Sequence, residues 1–516
     1  MSPPDRHASK PPPGRELRRW VRAHTARTRS PWALLGDIYD AVLAAAILAA
    51  LAAPYLGRLG TGTTTPISGT VGMDPTWAVL VLLLLLAGLV VEPLRRLGPL
   101  FLRPYEAAWW LNMPGDRSGL LEPVAWAEAA VAVAAGGGAG LLLAVMAGAG
   151  ATAATGMVLF GGAAGALLLV ALVHAQVVDA GLPAVRATPL GASVIALSAG
   201  AFGAPSPSRV AGGLLVSLGL VAGLATALWW WRLRVRLVDI PDAHLLEVAA
   251  RNLGVQVSLL SLDTRALGRL LSAPVRRPAV SSPLPLARLA LRLPPGLRPL
   301  LGVAQADCLL LWRQPRRALQ LLAGGIVAVF PLFSSGVGAI GAVVFHLVGG
   351  WLAVLALAEP ARRAWFDGGA DASWPAGPVR VRCGHLLLPA AIMIAWTAAV
   401  VAAQLFTSGR APDSAGQAWA AVGLVVAAGC GWGGAALRSG FRPTPDFSLG
   451  LVASPVGSLP PGAVEMLVSG PDAAAIAGLP TALLALGVPA TPRLLGVQLV
   501  ASGVVIVWGL LTGRRA

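Results

Sequence analysis

Apolar runs long enough to cross about 30 Å of hydrocarbon as helix recur along this chain, separated by short polar loops, and they decide what it can fold into. A helix satisfies its own backbone hydrogen bonds in lipid, whereas a soluble core has no room for so many such runs. Hydrophobic residues make up 56% of the 516 and charged ones only 12%, with a mean hydropathy of +0.73. The apolar surface therefore exceeds what a soluble core buries, and the sequence reads as an all-α integral membrane protein. Abundant Gly and Ala suit close helix packing in lipid, and the alternating strands of a membrane barrel are absent.

Spans are expected near 37–56, 77–95, 124–147, 155–178, 188–204 and 209–231, and again near 318–334, 337–358, 387–406, 416–437, 472–488 and 494–511. That makes about 12 transmembrane helices in two sets of six. Arginines mark the inner loops. Arg95, Arg96, Arg103, Arg117 and Arg186 fall in one set of loops, Arg514 and Arg515 lie at the end, and the opposite loops hold mainly Gly, Thr, Ser and Pro, with Arg58 and Arg209 as exceptions. This distribution places both termini in the cytoplasm. It also accounts for the net charge of +16, which sits in loops and forms no nucleic-acid face.

The chain then divides into a basic cytoplasmic tail and surface helix (1–36), a first six-helix half (37–231), a basic cytoplasmic linker (232–317) and a second six-helix half (318–516). Arg15, Arg18, Arg19, Arg22, Arg27 and Arg29 predict an amphipathic helix lying on the membrane. In the linker, VDIPDAHLLEVAARN predicts a helix opening at Asp242, and SLLSLDTRALGRLL a second amphipathic stretch. ADCLLLWRQPRRALQ, before the second half, reads as another surface segment. The lipid bilayer is thus the first partner.

Two polar loops repeat one another. Glu92, Pro93, Arg95 and Arg96 open the first, and Glu359, Pro360, Arg362 and Arg363 open the second; Leu120, Leu121 and Pro123 leave the first as Leu387, Leu388 and Pro389 leave the second. Such a repeat implies one structural unit used twice.

No enzyme is expected. Lys10 is the only lysine, so no phosphate-loop lysine exists, and HExxH, GxSxG and paired-His motifs are missing. Cys308, Cys383 and Cys430 are far apart, and His385 beside Cys383 makes no metal-ligand set, so neither metal nor cofactor is predicted. Ionisable residues inside spans are costly, which makes Glu128 and His346 candidates for lining a pathway. A neutral His346 hydrogen-bonded to a neighbouring helix is the simpler reading of that residue. In the first loop, Tyr105 to Met113 predicts a short amphipathic helix carrying Trp109 and Trp110, as membrane-belt anchors or as a surface for a partner.

A surface helix before the first span, then an aromatic turn, WLNMPGDRSGLLEP, re-entering the third, resembles the permease subunits of type-two ABC exporters. The duplicated form is also similar to a group of actinobacterial multispanning proteins. The resemblance implies a bacterial plasma-membrane exporter for a small or amphipathic compound, driven by a separate ATP-binding cassette subunit. It implies that Trp109, Trp110, Pro114, Asp116 and Arg117 form a first coupling turn on that subunit, and Trp374, Pro378, Arg380 and Arg382 a second. The second turn lacks the Pro-Gly-Asp-Arg core. A major-facilitator transporter, whose loop motif Asp116, Arg117 and Gly119 partly mimic, and a non-transporting scaffold are the alternatives, and a homodimer is open alongside a self-sufficient pair of halves.

Overall fold

The computed structural model describes residues 14–25, 73–113, 117–178, 183–205, 212–260, 270, 292–333, 337–408, 412–442, 452–454, 457–459 and 470–512. They are almost wholly helical. In chain order the helices are α1 (Gly14–Thr25), α2 (Pro75–Leu97), α3 (Pro104–Trp110), α4 (Arg117–Met146), α5 (Ala151–Val177), α6 (Pro183–Ala201), α7 (Gly212–Leu233) and α8 (Asp242–Leu260). There follow α9 (Arg298–Trp312), α10 (Pro315–Val329), α11 (Ala339–Leu357), α12 (Glu359–Phe366), α13 (Gly368–Ala372), α14 (Pro378–Ser408), α15 (Ala415–Phe441), α16 (Pro471–Ala485) and α17 (Pro492–Leu511). A short antiparallel hairpin pairs Val452–Ser454 with Gly457–Leu459.

Eight of these helices, α2, α4, α5, α7, α11, α14, α15 and α17, are long and apolar enough to cross a membrane. The protein is therefore a multi-pass membrane protein built from helices. The spans expected at 188–204 and 472–488 are the shorter apolar helices α6 and α16. The one expected at 318–334 coincides with α10, of 15 residues, and the one at 37–56 lies outside the described residues. Eight, not 12, is accordingly the number of described helices with spanning length.

The chain packs as two compact units. Unit 1 gathers the described residues of Met1–Thr61, Pro75–Ser193 and Pro205–Leu271, and unit 2 those of Gly62–Asp74, Val194–Ala204 and Ser272–Ala516. Within unit 1, α4 packs on α5 and α5 on α7. Glycine makes this possible: a Cβ at Gly136 would lie 2.1 Å from the Gly161 carbonyl oxygen, and one at Gly140 2.1 Å from that of Met157. Backbones that close gain dispersion contacts which lipid cannot supply. Within unit 2, α14 packs on α15 and α15 on α17, again through small residues, since Gly433 faces the Ala390 backbone and Gly434 that of Ile506.

Amphipathic helices cover one end of unit 1. α1 turns Leu17 and Val21 towards a core that includes Leu120, Leu121, Trp110 and Leu245. α8 opens at Asp242, as its sequence predicts, and buries Leu245, Val248 and Ala249. The second stretch predicted in the linker lies almost wholly outside the described residues.

Candidate functional site

The first polar loop leaves α2 through an ion cluster. The spacing of three and four residues brings Arg95 Nε to 3.3 Å and Arg96 Nε to 2.8 Å from the Glu92 carboxylate. The chain then reverses at Gly98, whose φ of +70° few other residues adopt and whose missing Cβ makes room for Val248. Carbonyls orphaned at the end of α2 find donors on α8: Arg251 Nη1 reaches Arg96 O at 2.7 Å and Asn252 Nδ2 reaches Leu97 O at 3.0 Å. The side chain of Gln176 on α5 accepts from Leu100 N at 3.1 Å and donates to Leu100 O at 2.8 Å, as a strand would. A segment without regular structure is thereby fixed at every step.

This mount carries α3. Pro104 starts it and Glu106 caps it through Arg103 N at 3.0 Å. Trp110 is buried, with the Arg18 guanidinium 5.0 Å from its ring centre. Tyr105 and Trp109, four residues apart on one face of α3, are 58% and 69% exposed, and Met113 beyond its end is 43% exposed. Of the residues expected in a first coupling turn, Trp109 lies outward and Trp110 inward, while Arg117 pairs with Asp242 of α8 at 2.5 Å. Pro114 and Asp116 lie outside the described residues.

The second loop opens with the same clasp. Glu359 accepts from Arg362 Nη1 at 3.4 Å and Arg363 Nε at 3.0 Å, and Arg317 Nη2 of α10 adds a bond of 2.6 Å. Burial alone would raise the Glu359 carboxyl, but Arg317, Arg362 and Arg363 outweigh it and hold it below the ordinary carboxylate range. Burial in turn lowers the Arg317 guanidinium to about 10, against the pull of Glu359.

Further along, Trp374 packs on α9 at Gly302. Pro378 and Arg380 are exposed. Arg382 is committed inside the chain: its Nη1 donates to Leu510 O at 2.8 Å and Thr512 O at 2.7 Å, and its guanidinium stands 4.8 Å from the Phe441 ring centre. Beside it lies a groove of about 690 Å³ lined by Trp365, Phe366, Asp371, Pro378, Arg382 and Phe441, among others.

A buried group that sequence reasoning missed adjoins that groove at Asp371. His385 Nδ1 lies 2.7 Å from Asp307 Oδ2 and Nε2 lies 3.2 Å from Asp371 Oδ1. Only the imidazolium donates to both. Burial pushes the Asp307 carboxyl up, the bond and charge of His385 opposing it. These three residues join α9, α13 and α14. Among the described residues no three His, Cys, Asp or Glu side chains gather as metal ligands.

The two pathway candidates fall in different settings. Glu128 is half-buried on α4 and makes no hydrogen bond or ion pair among the described residues. His346 is fully buried on α11, with Thr481 Oγ1 3.2 Å from Nε2 and Gln404 Nε2 3.4 Å from Nδ1.

These features define a multi-pass helical membrane protein with two polar loops that each open on a glutamate clasped by arginines. The profile of the DUF6297 family, a family of unknown function, matches residues 69–450 of the 516, and the chain belongs to that family. No curated protein and no solved structure matches it.

Proposed function

We propose that the chain is the permease subunit of an ATP-driven exporter in a bacterial plasma membrane, with both termini cytoplasmic. It moves a small or amphipathic compound with energy from a separate ATP-binding cassette subunit, having no phosphate loop of its own. The observation that carries this reading is α3. A seven-residue helix that leaves Tyr105 and Trp109 exposed while Trp110 and the preceding loop are locked to α1, α5 and α8 is a rigid aromatic projection. A rigid projection transmits a push from a partner that a floppy loop would absorb.

The two units act, on this reading, as copies of one six-helix plan. The Glu-Arg clasp that opens both loops supports it, and so does the packing order α4, α5, α7 matched by α14, α15, α17. Trp109, Arg117 and the exposed Pro378 and Arg380 are the contact points on the ATP-binding subunit.

The test is co-purification of the full chain with an ATP-binding cassette subunit from the same cell. Native protein brings it down, Tyr105→Ala with Trp109→Ala does not, and both forms are equally stable. Recovery of the chain with no ATPase, together with proton-driven transport in vesicles that Glu128→Gln abolishes, replaces the exporter with a secondary transporter. No transport under either energy source leaves a scaffold.

A further inference from the structure

The interior of unit 2 holds neutral polar side chains that the two loops do not account for. His346 on α11, Gln404 on α14, Trp432 on α15, Thr481 on α16 and Gln498 on α17 are each 1% exposed or less. Their donors and acceptors settle the state of His346. Thr481 Oγ1 gives its proton to Gly478 O at 2.9 Å, so towards His346 Nε2 it accepts. The Gln404 amide nitrogen donates to Nδ1. The ring is therefore neutral, with its proton on Nε2.

Trp432 and Trp396 wall the ring, with centroids 6.5 and 6.4 Å away. Two glycines admit Trp432: a Cβ at Gly350 or Gly478 would come within 2.4 or 2.2 Å of the indole. Gln498 Nε2 donates to Ala477 O, next to Gly478, at 2.9 Å, which brings α17 to the same place.

Three polar atoms of this group, Gln404 Oε1, Gln498 Oε1 and Trp432 Nε1, are buried with no hydrogen-bond partner among the described residues. Thr397 Oγ1 is in the same condition on the buried face of α14 that carries Gln404. Bare polar atoms are expensive in an apolar interior. The set is mixed, with two amide oxygens that accept, an indole that donates and a hydroxyl that does either. No member carries a charge. A cation would need acceptors alone and an anion donors alone, whereas a hydroxyl group both donates and accepts and so suits either kind.

We propose that unit 2 contains a buried binding site, centred on His346, Gln404 and Trp432, for a small neutral hydroxylic ligand, either water or an alcohol group of a cargo. The site goes beyond the exporter reading and stands whatever the energy source.

The test uses the full chain with Cys308, Cys383 and Cys430 replaced by Ala and a single Thr481→Cys, purified in detergent and treated with a small water-soluble methanethiosulfonate. A control carries Ala353→Cys instead, at a fully buried apolar position of α11. The expected result is modification of T481C an order of magnitude faster than A353C. Slowing by added glycerol identifies an alcohol-binding site, and indifference to glycerol identifies water. Equal, slow reaction of both cysteines, with fast reaction of each after unfolding, overturns the proposal. Thr397→Val in the native chain provides the second measurement, because this near-isosteric change removes a buried hydroxyl that has no partner among the described residues. An occupied site predicts a lower melting temperature for T397V, and an unchanged or higher one means that the hydroxyl was bare and the interior is dry.

Discussion

Glu359 shows how a single carboxylate organises a loop. Its side chain is 6% exposed and faces three guanidinium groups, of which Arg317 is itself 10% exposed. Breaking a buried pair by removing one partner costs about 3–5 kcal/mol, because the other charge stays desolvated. Glu359→Gln is expected to destabilise unit 2 by that amount in thermal unfolding. The sign with pH follows from the depressed carboxyl: its contribution is complete above the ordinary value of 4.5 and is lost as pH falls through the lower folded value. E359Q should therefore flatten the acid limb of a stability profile between 4.5 and the lower folded value. His385 invites a different test. Replacing it by Phe strands Asp307 and Asp371, and a cycle of H385F, Asp307→Leu and the double variant should give a coupling of about 0.5–3 kcal/mol. Gly98→Ala, at φ +70° and against Val248, is expected to cost about 1–2 kcal/mol.

Among the elements, α3 separates two adjacent tryptophans by burial alone. Trp110→Ala empties a packed site and should cost about 3–5 kcal/mol, whereas Trp109→Ala should change stability by less than about 0.5 kcal/mol while abolishing partner capture. Chemical unfolding of the two variants side by side checks this. Neighbouring tryptophans look alike in a sequence, so which one faces inward was not legible. The helix itself was, from Pro104 and the spacing of its apolar residues. The repeat of Glu92, Arg95 and Arg96 was legible too, but not their clasp, which exists because α2 runs on through them to Leu97. The His385 group was not, since Asp307 stands 78 residues away and only packing brings the two together. Arg382 was read as a surface contact for the same reason, its carbonyl partners lying 128 and 130 residues on.

At the level of the whole molecule, apolar length made the spans legible. The two short apolar helices α6 and α16 and the 15-residue α10 show the limit of that rule, because a hydropathy pattern cannot say how far a run stays helical. The exporter reading requires both polar loops to face the cytoplasm. A cysteine placed at Trp109 or at Arg380 in a variant lacking Cys308, Cys383 and Cys430 should resist an impermeant maleimide in intact cells and react in inside-out vesicles. Labelling of either from outside would remove the docking side for an ATP-binding subunit. The grip of Arg382 on Leu510 and Thr512 bears on any attempt to shorten the protein. The last turn of α17 serves as a socket for a side chain from the second loop, so trimming the chain back past Leu510 should loosen a region far upstream of the cut.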